Sequence, residues 1–189
     1  MNNFYDRIAF IQRGRATIRY HTMRMHDHQR IDSHSYGVMM LVLLLTDGPD
    51  ITLERRDTLM RAAMFHDLAE HITGDIPAPV KRTLGTGWRE TYSSYEDELL
   101  EDHRLLVSLN EADARVLKMA DAAEGCLHCI EERRMGNQET QSLFHNFWSY
   151  LKDEQDIDKP TNADAEVGEA PLAEFIMKRW RIVNGATFA

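Results

Sequence analysis

Apolar residues recur at three- and four-residue steps along nearly the whole chain, the spacing of helices with one buried face. The pattern predicts a first helix over about residues 3–13, ending near Gly14. Arg15–Ser33 breaks it with a polar, irregular run holding three histidines and several arginines. A second helix is expected to start near His34, with Asp32 or Ser33 as N-cap, and to stop at the turn signal Asp47-Gly48-Pro49. Thr52 is placed to cap a third helix that reaches His71 before Gly74, and Ile76-Pro77-Ala78-Pro79 then forms a stiff connection. Trp88–Leu109 and Asn110–Met135 read as two long helices, and Gln138–Glu154 as another. Residues 155–169 read as an acidic loop, and 170–184 as a C-terminal helix with Pro171 in its first turn. No strand, repeat or low-complexity tract is evident. The expectation is an all-α, single-domain helical bundle over residues 1–189, with about six to eight helices.

Four ionisable residues interrupt the predicted apolar stripes. His34 shares a stripe with Val38, Leu41 and Leu45, and Asp121 shares one with Ala114 and Leu117. His66 and Glu70 continue the stripe of Leu59 and Ala63, with Asp67 beside His66. Burying an imidazole and a carboxylate is costly unless something pairs with them, and a metal ion can do so. Taken singly, a core histidine is usually just hydrogen-bonded, and an internal aspartate commonly caps a helix or meets an arginine. Together His34, His66, Asp67 and Asp121 offer two imidazoles and two carboxylates. Such a mixed N/O set suits Zn, Mn, Co, Ni or Fe and leaves positions for water or substrate.

Composition narrows the classes. The 189-residue chain is 43% hydrophobic and 28% charged, which suits one sizeable core. Its longest apolar run, Val38–Leu45, is too short to span a bilayer. The opening MNNFYDRIAF lacks the regions of a signal peptide, so with two cysteines the expected location is the cytoplasm, or a host's cytoplasm if phage-encoded. A net charge of −9 argues against nucleic acid or an anionic membrane as partner. A small anionic substrate remains open, because a local basic pocket or a metal can override the global field.

The order His34…His66-Asp67…Asp121 resembles the HD-domain phosphohydrolases, and within them the 5′-deoxynucleotidase branch. Ser33-His34-Ser35, His66-Asp67-x-x-Glu70, the run Thr73-Gly74-Asp75-Ile76-Pro77-Ala78-Pro79-Val80-Lys81 and Lys118-Met119-Ala120-Asp121-Ala122 carry the likeness over about residues 5–150. A bare His-Asp is a weak signal, whereas the four ligands with the TGD-P-x-P-V-K run are a strong one. The resemblance implies an HD-type domain with one divalent metal on His34, His66, Asp67 and Asp121. It implies Glu70 as the group that activates water or passes a proton to the leaving 5′-oxygen. Asp75 would position the 3′-hydroxyl or share in proton transfer. Arg19 matches the phosphate-binding cation, with Lys81 and Pro79 also on the substrate side. Tyr20 stands where the family usually has tryptophan, keeping an aromatic wall but adding a hydroxyl. A homo-oligomer, dimer or higher, is expected by resemblance alone.

The chemistry is sensible on its own terms. A divalent metal neutralises phosphate charge and lowers the pKa of bound water to about 7 in favourable sites. Arg19 and Lys81, with Arg24, Arg82 or Lys118, could hold phosphate charge, although surface cations are commonly just solvated. Substrate length has two readings. One branch removes orthophosphate from deoxynucleoside monophosphates, while the phage dATP triphosphohydrolases release triphosphate and leave deoxyadenosine. Arg19-Tyr20-His21-Thr22 and the Gly37–Leu45 helix look closer to the phage branch, so dATP is the favoured substrate at this stage, with Mg²⁺ accompanying its phosphates. A catalytically silent nucleotide-binding module is the alternative of another class. The complete polar set favours an enzyme over it.

Weaker features have plainer readings. Cys126-Leu127-His128-Cys129 lies within a predicted helix with no second pair, so two thiols packed in a core are expected. His21, His26 and His28 form a histidine-rich patch with no arguable ligand geometry. Phe144, Phe147 and Trp148 are expected in the core or at a subunit contact. Trp180 is expected to anchor the final helix onto a partner subunit.

Overall fold

The computed structural model describes residues 3–49, 51–154 and 169–185. These are helical throughout, with no strand among them beyond one isolated bridge between Ile18 and Arg30. Seven helices of nine residues or more are present, as expected of an all-α chain: α1 (Phe4–Gly14), α2 (Ile31–Leu45), α3 (Leu53–Phe65), α6 (Gly85–Asp102), α7 (Glu111–Arg134), α8 (Gln141–Ser149) and α9 (Glu169–Val183). Two short helices, α4 (Glu70–Thr73) and α5 (Ala78–Thr83), lie between α3 and α6. No helix among the described residues is long and apolar enough to cross a membrane. The expected acidic loop over 155–169 falls almost wholly outside the described residues.

The chain divides into two compact units, 1–36 with 64–108, and 37–63 with 109–189. In the first, Phe10, Ile31, Leu68, Ala69, Leu100 and Leu105 form a buried cluster. The Asn3 side chain caps α1 by accepting the Tyr5 and Asp6 backbone N–H groups, and Asp6 answers by accepting that of Asn3. The Phe10 ring then stacks on His103, with centroids 3.9 Å apart. Between α1 and α2 the chain is pinned by three bonds: the Arg19 N–H donates to the Gln29 carbonyl at 2.9 Å, that of Ile31 to Thr17 at 3.0 Å and that of Asp32 to Arg15 at 3.2 Å.

Those bonds also explain one departure from the sequence reading. α2 starts at Ile31, three residues before His34, so Asp32 and Ser33 lie in its first turn and are not the expected N-cap. Ile31 is completely buried, and its anchoring begins the helix early. A second departure bears on the site. α3 is capped by Thr52, whose hydroxyl accepts the Arg55 N–H at 3.2 Å, but it ends at Phe65 and not at His71. The next bonds are tight three-residue ones, Leu68 N–H to Phe65 and Glu70 N–H to Asp67, so His66–Ala69 is a turn. His66 and Glu70 therefore do not share one continuous helical face. Likewise α6 starts at Gly85 and stops at Asp102, well short of Leu109, where Arg104 adopts a left-handed φ of 57°.

The second unit is built around α7, capped by Asn110 as expected, with α8 and α9 packed on it. Cys126 and Cys129 are buried free thiols in this core, and burial pushes both thiols up, consistent with a packing role. A Cβ at Gly125 would come within 2.7 Å of the Phe147 ring, so this approach requires glycine. Trp180 lies inward, stacked on Phe144 at 3.7 Å with 2° between the planes, and so anchors α9 within its own unit. Phe144 has no exposed surface. Phe144→Ala is expected to lower unfolding free energy by about 3–5 kcal/mol. The half-exposed Tyr95→Ala is expected to cost no more than about 0.5 kcal/mol, both by denaturant titration.

Candidate active site

The first unit gathers most of the expected site residues. His34, in the first turns of α2, is fully buried, while His66 and Asp67 occupy the turn after α3. Their polar atoms converge: His34 Nε2 and His66 Nε2 lie 3.3 Å apart. Asp67 brings one oxygen to 3.5 Å from His34 Nε2 and the other to 3.3 Å from His66 Nε2. The turn is what allows this, since a continued α3 would point adjacent residues 66 and 67 about 100° apart. Two ring nitrogens and a carboxylate facing one another are donors of the kind a divalent metal takes, and they fit such an ion. Asp121 lies on α7 in the second unit, half-buried between the buried Ala120 and Ala122.

Arg19 is also here, almost completely buried, and its guanidinium donates to Asp67. It thus compensates and orients that carboxylate. Its neighbour Tyr20 has a left-handed φ of 56°, an unusual conformation for an aromatic residue. This bend lets the Tyr20 N–H donate to Asp75 Oδ2 at 2.9 Å. Pro79 falls in the first turn of α5, and its side chain lies outside the described set.

Glu70 opens α4 and is 6% exposed. Burial raises its carboxyl from the ordinary 4.5 to about 10; Asp67 and Asp75 add to the rise, while Arg19 and Lys81 oppose it. Lys81 Nζ lies 4.0 Å from Glu70 Oε1. Glu70 Oε2 is buried with no hydrogen-bond partner among the described residues, as suits a group that waits for a reactant. The site therefore combines a metal-type donor set, a proton-holding acid and two cations.

A neighbouring group on α6 escaped the sequence reading. The Thr73 hydroxyl donates to Glu96 Oε1 at 2.9 Å, and the Tyr92 hydroxyl lies 3.0 Å from Thr73 Oγ1 and 2.9 Å from the Gly74 carbonyl. Burial raises both the Glu96 carboxyl and the Tyr92 phenol, and the phenol stays a donor. Trp88, Tyr92 and Glu96 recur at four-residue steps, the one sequence signal that marked this face.

Residues 6–112 match the family described as 5′-deoxynucleotidase YfbR-like. The chain belongs to this family. A 5′-deoxynucleotidase of Vibrio vulnificus is 30% identical over 151 residues, which cover 69% of this chain and 76% of that one. One from Shewanella oneidensis is 31% identical over 129 residues, 59% of this chain and 66% of the relative. Among solved structures, the cyanophage S-2L HD phosphohydrolase DatZ, bound to dA and one catalytic Zn²⁺, superposes with a TM-score of 0.67 at 17% identity. That match covers 98% of this chain and 99% of the phage protein and shows a shared fold. This YfbR-like chain shares the fold of the phage HD phosphohydrolase.

The Glu70 carboxyl makes folding pH-dependent. Unfolded, it ionises at its ordinary 4.5, while folded it keeps its proton to about 10. Its contribution is full below the lower value and is lost as pH rises through the higher one. In metal-free protein, Glu70→Gln is therefore expected to raise the thermal midpoint above wild type at about pH 8 and to match it near pH 4. Equal midpoints at both pH values would contradict a buried, protonated Glu70.

Proposed function

We propose that this protein hydrolyses the 5′-phosphoester of 2′-deoxynucleoside monophosphates, releasing orthophosphate. In this reading one divalent metal is held by His34, His66 and Asp67, whose donor atoms converge, with Asp121 as the fourth ligand that the family resemblance implies. Zn²⁺ is the first choice because it is the ion on the phage neighbour, with Co²⁺, Mn²⁺ and Ni²⁺ also suited to the donors. The observation that carries the reading is the convergence of His34, His66 and Asp67, with the Glu70 carboxyl buried in the same unit.

The metal, when bound, would polarise a phosphoryl oxygen and supply a water that ionises near neutral pH. The remaining work falls to side chains. Arg19 fixes Asp67 through its guanidinium and keeps the carboxylate facing the two imidazoles. Lys81, with Arg19, adds positive charge where the phosphate sits. Glu70 holds the proton that the leaving 5′-oxygen needs, since an alkoxide is a poor leaving group. Asp75, fixed by the Tyr20 N–H, accepts the sugar 3′-hydroxyl. The Tyr20 ring walls the sugar, and Pro79 completes that side. The protein is read as cytoplasmic and homo-oligomeric.

Relatives about 30% identical that are named 5′-deoxynucleotidases support the monophosphate. Triphosphate release from dATP, favoured by the sequence alone, stays as a second reading. It is supported by the Arg19-Tyr20-His21-Thr22 run and by the nearly full-length likeness to the phage enzyme. Mg²⁺ would then accompany the substrate phosphates. A silent nucleotide-binding module has less support, because Glu70 and Asp75 stand beside the donor set.

The purified protein should be screened with deoxy- and ribonucleoside mono-, di- and triphosphates under Zn²⁺, Co²⁺ and Mg²⁺, with phosphate, pyrophosphate and triphosphate resolved. Orthophosphate from deoxynucleoside monophosphates, with dATP untouched, is the expected result. Triphosphate from dATP with dAMP untouched would replace the first reading by the second. No turnover of any substrate would favour the silent module.

A further inference from the structure

The Thr73-Gly74-Asp75 turn links the proton-holding Glu70 to the carboxylate that we assign to the sugar, and it is held from several directions. The Gly74 N–H donates to the Glu70 carbonyl at 2.7 Å, with Gly74 at a φ of 82°. Thr73 is tied to Glu96 at 2.9 Å, and Asp75 accepts the Tyr20 N–H at 2.9 Å. The Gly74 carbonyl of the turn accepts the Tyr92 hydroxyl at 2.9 Å, and the same proton is shared with Thr73 Oγ1 at 3.0 Å.

Tyr92 does a second thing with its ring. Lys81 Nζ lies 5.4 Å from the ring centroid, in cation–π range, and also 4.0 Å from Glu70 Oε1. The Trp88 ring stacks on that of Tyr92 at 4.8 Å with 24° between the planes, which holds the Tyr92 ring in place. One side chain on α6 thus braces the turn with its hydroxyl and faces the phosphate-side cation with its ring.

We propose that Tyr92 is a positioning residue for sugar recognition: its hydroxyl sets the Gly74–Asp75 backbone so that the Asp75 carboxylate meets the substrate 3′-hydroxyl. The inference rests on the reading of Asp75 given above. The hydroxyl and the ring have separable effects. Without the hydroxyl, the turn loses its only bond from α6 to the Gly74 carbonyl among the described residues, and Asp75 is free to shift. Without the ring, Lys81 also loses its aromatic neighbour.

The test compares wild type, Tyr92→Phe and Asp75→Asn on paired substrates, dAMP with 2′,3′-dideoxyAMP, and dATP with 2′,3′-dideoxyATP. Tyr92→Phe keeps the ring against Lys81 and Trp88, and its metal content and thermal midpoint are recorded alongside. It is expected to raise KM about tenfold for the substrate bearing a 3′-hydroxyl, with kcat changed less than about threefold. Its kcat/KM on the dideoxy partner should stay within about twofold of wild type. Asp75→Asn should show the same selectivity, more strongly. Equal losses on both members of a pair in Tyr92→Phe, or no loss on either, while Asp75→Asn still discriminates, would overturn the role of Tyr92 alone. If Asp75→Asn fails to discriminate, the sugar reading falls and this proposal with it.

Discussion

A carboxyl buried among charges is the constraint around which the site is arranged. Glu70 sits beside two further carboxylates, with Arg19 and Lys81 favouring its ionised form. Such a group costs stability at neutral pH, and the fold retains it against that cost. Nearby, His34 is wholly buried with its ring nitrogen facing another ring nitrogen and a carboxylate. None of these groups is arranged for packing. Their arrangement makes sense for binding a cation and delivering a proton.

The helices serve that arrangement by stopping where they do. α3 ends at Phe65, so His66 and Asp67 face the same point as His34 and do not diverge around a helix. α4 lasts one turn and leads into Gly74, whose positive φ brings Asp75 back beneath Tyr20. Early initiation of α2 at Ile31 places His34 one turn inside a formed helix, where its ring is held rigidly. Rigid helix ends joined by short turns, together with the pinned connection between α1 and α2 that carries Arg19 and Tyr20, give a pre-organised site.

Much of this was legible in the sequence, and the lapses have physical causes. α7 announced itself through Asn110, whose side chain caps it, and through Gly136 just beyond its end. The polar residues on apolar stripes were legible because burial makes them conspicuous. The break after Phe65 was hidden, since the stripe Leu59, Ala63, His66, Glu70 keeps a helical phase across a turn of tight bonds. The start of α2 was hidden because long-range bonds, Ile31 to Thr17 and Arg19 to Gln29, set it. Beyond their four-residue spacing, Tyr92 and Glu96 carry no signal in the sequence, because an aromatic and an acid on a solvated helix look ordinary until Thr73 and Gly74 lie against them. Trp180 is read from the sequence as an anchor for the final helix onto a partner subunit, whereas it stacks on Phe144 of another helix in its own unit, a pairing that sequence alone does not give.

The central claim is that hydrolysis runs on a divalent metal held by His34, His66, Asp67 and Asp121. Its most direct test follows metal content and turnover together, in wild type and Asp67→Ala, after chelation and during stepwise return of Zn²⁺ or Co²⁺. The wild type is expected to lose turnover on chelation and to regain it as about one metal per chain is restored, while Asp67→Ala binds weakly and stays at least about a hundredfold slower. Full turnover by the chelated wild type, or wild-type metal content and rate in Asp67→Ala, would contradict the account.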